Sequence, residues 1–231
     1  LGLSLSAAHR TVRVEPFQLH AGEWAVLSPS RAALGPDLAM TAARVFGTLA
    51  SPTTGRVELF GRALSEVPYL ELLSLRKQLG FVPGAGGLLS NRSLRQNVAL
   101  PVHTHAGLSP ADEDALVQRV LDALELSRVA DQRPHEVSGA TRFRCCVARA
   151  LVLSPRWLVI EGIGDFEADG GEHSAWSELL AYQRRGESAA VICLGRTNPA
   201  FERWFQEHGG RVIAYHLLSE LPGAVQRSHG T

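Results

Sequence analysis

The stretch "EVSGATRFRCCVARALVLSPRWLVIEGIGDFEAD", Glu136 to Asp169, decides how this chain folds. A polar "SGATR" leads into the apolar-rich "RFRCCVARALVL", which reads as a helix. Pro155 then interrupts it, and "RWLVIEG" is a short apolar run of the kind found in a strand buried on both faces. A helix followed directly by such a strand is the unit from which parallel-rich α/β sheets are built.

The same alternation extends outward in both directions. Residues around Thr11 to Phe17 and "EWAVL" (Glu23 to Leu27) read as short strands with "HAG" as the turn between them, and "LAMTAARVFGTLA" (Leu38 to Ala50) has helical composition. "RVELFG" alternates like a strand, "YLELLSLRKQLG" reads as a helix closed by Gly80, and "FVPGAGGLLSN" is a short strand running into a glycine-rich loop. "SPADEDALVQRVLDALEL" (Ser109 to Leu126) carries a serine cap and acids in its first turn, the strongest helix signal in the chain. "EHSAWSELLAYQRR" reads as a third helix, and "AAVICLG" and "RVIAYH" as further strands. The expected fold is α/β: a parallel-rich sheet flanked by helices, with an N-terminal antiparallel β part. It forms one domain over 1–231, with a helical subdomain at about 84–137 inserted in the α/β core.

Composition narrows the function classes. The 231 residues carry 23 Lys+Arg against 23 Asp+Glu, so no sequence-independent attraction to a nucleic acid backbone is expected. The longest apolar stretch, "CCVARALVLSPRWLVI", is broken by Arg149, Pro155 and Arg156, short of the roughly 20 apolar residues a membrane-spanning helix needs. Any membrane role therefore comes through a partner. Three cysteines, two of them adjacent, do not make a paired disulfide framework, and Cys145 and Cys146 read as packing residues of one helix. His103 and His105 have metal-ligand spacing but no second pair of ligands, which favours solvent-facing side chains.

Six fragments carry a family resemblance: "GE" at Gly22–Glu23, "SPTTGRVELFG" at Ser51–Gly61, "LRKQLGFV" at Leu75–Val82, "NVALP" at Asn97–Pro101, "PHEVSGATRFR" at Pro134–Arg144 and "ARALVLSPRWLVI" at Ala148–Ile160. In this order, over roughly Thr11 to His216, the chain resembles the nucleotide-binding ATPase subunit of ABC transporters, a P-loop NTPase-like fold. Within that family "GGLLSNRSLRQNVALPVHTHAGLS" looks most like the ATPases of MCE/Mla-type lipid transport systems.

The resemblance assigns chemistry to positions that this sequence fills differently. A P-loop G-x-x-x-x-G-K-[ST] cradles phosphates on backbone N–H groups and neutralises them with its lysine. The equivalent region, Ser28 to Ala42, includes Ser28, Arg31, Gly35 and Thr41, two prolines and no lysine: Lys77 is the only lysine in the chain. The glutamine the family places after "GFV" is replaced by Gly84, and its strand-end Asp–Glu pair by Glu161 and Gly162. Glu161 keeps an oxygen for a metal, whereas Gly162 offers no general base, a loss worth about 100- to 10,000-fold in rate. Arg196 stands where the family has a histidine facing the γ-phosphate, and His9 is the sole ring before Phe17 to serve the adenine-stacking place. The signature "LSGGQ" appears as "VSGAT", keeping Ser138 and Gly139 with Ala140 as the third position.

What the resemblance then implies is a degenerate subunit with no cofactor in its own site, docked on a membrane permease at the cytoplasmic face of the inner membrane. It pairs either with a competent ATPase, whose ATP and Mg²⁺ Ser138, Gly139 and Ala140 would meet in trans, or with a second copy as a dead scaffold. An active ATPase using Arg31, Glu161, Arg196 and a displaced Asp165 or Glu167 is the rival, and a soluble adaptor unconnected with transport a third reading.

Overall fold

The computed structural model describes residues 3–7, 10–30, 36–84, 87–161 and 188–217. The segment 172–185 read as a helix, the loop acids Asp165, Glu167 and Asp169, and the positions His9, Arg31, Gly35 and Gly162 lie outside the described residues.

Among the described residues one sheet is built from β1 (Leu3–Ala7), β2 (Arg10–Val14), β3 (Trp24–Pro29), β6 (Leu79–Val82), β7 (Trp157–Glu161), β8 (Ala189–Cys193) and β9 (Arg211–Leu217). Its strand order is β1-β2-β9-β3-β8-β7-β6, and a separate hairpin joins β4 (Glu58–Leu59) to β5 (Arg62–Ala63). The pairs from β9 through β3, β8 and β7 to β6 are parallel, while β1–β2 and β2–β9 are antiparallel. Helices α1 (Pro36–Phe46), α2 (Tyr69–Arg76), α3 (Leu94–His105), α4 (Pro110–Ala123), α5 (Gly139–Leu151) and α6 (Pro199–Glu207) complete the elements used below.

Alternation along the strands supplies two cores, because successive side chains point to opposite faces. Trp24, Val26, Leu158, Ile160, Ala190 and Ile192 pack with α3, α4, α5 and α6. Ala25, Leu27, Val159, Val191 and Cys193 pack with α1 and the antiparallel strands. Burial on both faces is why these strands read as continuous apolar runs.

Several sequence expectations shift in detail. The strand expected at "RVELFG" contributes only the two-residue β4, and β1 adds an edge strand ahead of the first one expected. Gly80 does not close α2, which ends at Arg76 with Lys77 as its cap. It lies inside β6, where a Cβ would come 2.6 Å from the Ala150 carbonyl oxygen of α5. The glycine serves close packing of strand on helix rather than a helix stop.

The loop after β6 is fixed from the helical side. Asn97, fully buried in α3, accepts from the Leu89 backbone N–H at 2.7 Å and donates to the carbonyls of Leu89, Arg92 and Ser93 at 3.1, 3.3 and 2.9 Å. Arg149 of α5 donates to the Gly87 carbonyl at 2.7 Å. Ser93 caps α3 reciprocally with Gln96.

Cys145 and Cys146 are buried packing residues, as their place in a helix suggested, and Cys145 donates to the Leu94 carbonyl at 3.6 Å. Burial pushes the Cys145 thiol up to about 12 and the Cys146 thiol up to about 11, and the Cys193 thiol still higher. His103 pairs with Glu113 of α4.

Two outcomes are expected. Asn97→Leu leaves the loop's backbone groups without their partner and costs about 2–3 kcal/mol, read as a lower urea midpoint. At pH 8 the native protein reacts with Ellman's reagent at none of its three thiols within minutes, because all three stay protonated and covered, and at all three in guanidinium; rapid native labelling would contradict the packing.

Candidate functional site

The parallel register sets the carboxyl ends of four strands level. Leu27 of β3 pairs with Cys193 of β8, Glu161 of β7 pairs with the same Cys193, and Val82 of β6 pairs with Ile160. Ser28, the Leu194–Arg196 turn, Glu161 and Gly84 therefore stand in a row along one edge, strands about 4.8 Å apart. Such an edge is where ligands bind in open α/β sheets. The structure thus brings together four positions that the sequence singled out separately.

Each position has a definite environment. Glu161 is half-buried, and its charge adds to burial in raising the neighbouring Cys193 thiol. Gly84 lies so close to β7 that a Cβ would sit 3.0 Å from the Glu161 carbonyl oxygen, so any side chain there requires the strand end to yield slightly. Arg196 is exposed at the turn after β8. That turn is pinned from two sides: Leu194 N–H donates to the Leu27 carbonyl at 2.9 Å, and the buried Tyr215 hydroxyl donates to the Leu194 carbonyl at 2.6 Å.

Sequence reading missed Glu202. Its Oε1 accepts from the buried Ser28 hydroxyl at 2.5 Å and from the Asn198 N–H at 3.1 Å, while the Asn198 side chain caps α6 by accepting from Phe201 N–H at 3.1 Å. The signal was present as "NPAFE": an Asn cap, a proline at the first helical position and an acid one turn on. A carboxylate is thereby fixed at the carboxyl end of β3.

The two helix starts differ. α1 opens with Pro36, which has no N–H to donate, and carries Asp37 in its first turn. The acid already complements the positive end of the helix dipole and repels a phosphate there. Thr41 is half-buried and donates its hydroxyl to the Asp37 carbonyl at 2.8 Å, within its own helix. α5 opens at Gly139 after the cap Ser138, which accepts from Thr141 N–H at 3.2 Å, and has no acid in its first turn. Ser138 is exposed, and Gly139 and Ala140 are half-buried. Lys77, the chain's sole lysine, precedes β6, at the opposite end of that strand from Gly84. Among the described residues no three acids, histidines or cysteines are grouped to hold a metal.

The described helices include none long and apolar enough to cross a membrane. In sequence, residues 41–161 match the family model described as ABC transporter, just over half of the chain. The methionine import ATP-binding protein MetN 1 of Burkholderia lata is 38% identical over 119 residues, 52% of this chain and 34% of that protein. MetN 1 of Rhodococcus jostii is 35% identical over 144 residues, 62% of this chain and 41% of the relative. The chain thus spans about a third to about two fifths of the length of these curated relatives.

In structure, the chain is similar to the dimeric bacterial ABC transporter cassette MJ0796, with TM-score 0.72 at 19% identity over 93% of this chain and 92% of that one. It is also similar to cbiO1 from Clostridium perfringens, described as part of the ABC transporter complex cbiONQ, with TM-score 0.66 at 17% identity over 84% and 76%. Sequence match and structural similarity agree: the chain belongs to the ABC transporter family, and its fold is that of the ATP-binding cassette.

Proposed function

We propose that this chain is a non-catalytic cassette: it docks on a permease and pairs with a competent ATPase, lending its α5 start to that partner's nucleotide. The observation that carries the reading is the contrast between the two helix starts. α1 has a proline, an acid and no lysine within reach in sequence, whereas α5 keeps a capped, acid-free start. A phosphate held by another chain would meet the Ser138 hydroxyl and the N–H groups of Gly139 and Ala140 with the dipole in its favour. A site assembled on α1 itself would place phosphate against Asp37 and against the carboxylate that Glu202 holds on Ser28.

Docking is supported by where apolar surface is left uncovered. Tyr69, Leu70 and Leu73 are exposed along α2, and Arg76 of the same helix donates to Thr48 Oγ1 at 3.1 Å and to the Thr48 carbonyl at 2.6 Å, next to the exposed Leu49. Leu89 is exposed on the loop that Asn97 anchors. A permease segment laid over these residues would bury them.

Two cargo readings follow from different observations. The sequence of 86–109 resembles MCE/Mla-type systems and favours a lipid, whereas the named function of the relatives favours methionine. Identifying the permease that co-purifies separates them.

The isolated chain is expected to bind Mg-ATP no tighter than millimolar by isothermal titration. Turnover by the chain alone that Glu161→Gln abolishes would replace this reading with the active-enzyme one. In the native complex, Ser138→Ala is expected to lower ATPase activity about tenfold or more while costing this chain about 1 kcal/mol of stability. Ser138→Thr, which keeps the cap and the hydroxyl, should restore both. Unchanged activity in Ser138→Ala would rule out a contribution in trans.

A further inference from the structure

One cleft lies away from the row of positions just described. It measures about 610 Å3 and opens beside Trp157 and Ala189, the first residues of β7 and β8, at the sheet edge opposite Glu161 and Cys193. Its walls include four aromatic side chains, Phe17, Phe46, Phe60 and Trp157. Phe17 and Phe46 lean on each other with ring centroids 5.6 Å apart, and the Trp157 indole N–H donates to the Phe46 carbonyl at 2.9 Å. The volume falls within the roughly 300–1,000 Å3 typical of small-molecule sites.

One wall is made at a conformational cost. Phe60 and Gly61 form the two-residue turn between β4 and β5, where Leu59 pairs with Arg62. Their φ values are +54° and +75°. Two successive positive φ values in a two-residue hairpin turn favour Asn-Gly or Asp-Gly, and a bulky aromatic in that region is an outlier. The turn alone gives no reason for a phenylalanine. Its ring packs against the core that holds Phe46 and Trp157 and lies under the Arg156 guanidinium, whose carbon is 4.3 Å from the ring centroid.

The charges lining the cleft, Arg56 and Arg156 against Glu15 and Glu58, sum to zero but are partnered unequally. Arg56 pairs with Glu58 at 2.7 Å and with Glu66 at 3.5 Å, and Glu15 faces His216 at 3.4 Å. Arg156 is different: its Nη1 donates to the neutral Gln78 amide oxygen at 3.1 Å, and no carboxylate partners it among the described residues. A guanidinium stacked on a ring, with Nη1 alone hydrogen-bonded among the described residues, is suited to an anionic group carried on an aromatic body.

We propose that this cleft is a binding site for a planar aromatic small molecule bearing one negative charge, its ring against Phe60 and the other aromatic walls and its anionic group on Arg156. The site is separate from the sheet edge bearing Glu161, and does not depend on whether this chain hydrolyses ATP.

The test uses the full chain and 8-anilinonaphthalene-1-sulfonate, an aromatic monoanion whose fluorescence reports binding. A single saturable site is expected. Arg156→Gln, at an exposed position, should weaken it about tenfold, as the loss of a charge-assisted contact does. N-phenyl-1-naphthylamine, the analogue without the sulfonate, should bind wild type about as weakly as the sulfonate binds that variant. Phe60→Asn should lose affinity, with the better fit of asparagine to the turn offsetting in Tm the core packing that is lost; a purely structural Phe60 would lower Tm on replacement and leave affinity unchanged. The proposal is overturned by the absence of saturable binding, by equal affinity for the neutral analogue in wild type, or by unchanged affinity in Arg156→Gln. If Phe60→Asn loses stability as well as affinity, the Arg156→Gln result decides.

Discussion

Leu27, Cys193 and Glu161 lie level across three parallel strands, and that alignment organises the rest of the molecule. A shift of one residue in any of these strands would turn its apolar residues to the opposite core and move its carboxyl end off the row. Because both faces are packed, with Val26, Leu158 and Ile192 in one core and Leu27, Val159 and Val191 in the other, neither face tolerates the shift. The packing that stabilises the sheet thereby also positions Ser28, Arg196, Glu161 and Gly84 along a common edge. An active cassette and an inactive one need the same register, so the fold is retained independently of what stands at the strand ends.

At that edge the electrostatics run against a phosphate. Asp37 occupies the first turn of α1, Pro36 removes a donor, and the Glu202 carboxylate is held in place by the Ser28 hydroxyl and the Asn198 N–H. Tyr215 and Leu27 fix the Leu194 turn through its own backbone groups. These contacts satisfy Ser28, Glu202 and the Leu194 backbone within the chain. The start of α5 differs: Ser138 satisfies one orphan N–H, and no acid competes for the others. The contrast is the physical basis for reading this subunit as a provider of contacts to a neighbour.

Much of this was legible before the structure. The apolar runs at 24–27, 157–160 and 189–193 announce buried parallel strands, and the caps Ser109 and Ser138 mark helix starts that the structure places within one residue. The residues at Gly84, Glu161 and Arg196 are legible as departures from the family pattern in the fragments around them. Glu202 could not, because its meaning depends on Ser28, a residue 174 positions away, and on a helix whose start is set by a single Asn-Pro step. Gly80 was misread for a related reason: a glycine after a helical run resembles a helix stop, and only the approach of the Ala150 carbonyl reveals that it makes room.

By itself the sequence determined the strand and helix types, the family resemblance and the absence of a lysine where a P-loop needs one, since each of these depends on local pattern or on identity alone. Tertiary structure decided which of those residues share an edge, that a carboxylate from α6 reaches the strand leading into the loop, and that Phe60 is held in a disfavoured turn beneath Arg156. Those facts depend on contacts between residues far apart in the chain, and such contacts are fixed by how two apolar cores pack against one sheet rather than by any neighbouring residue.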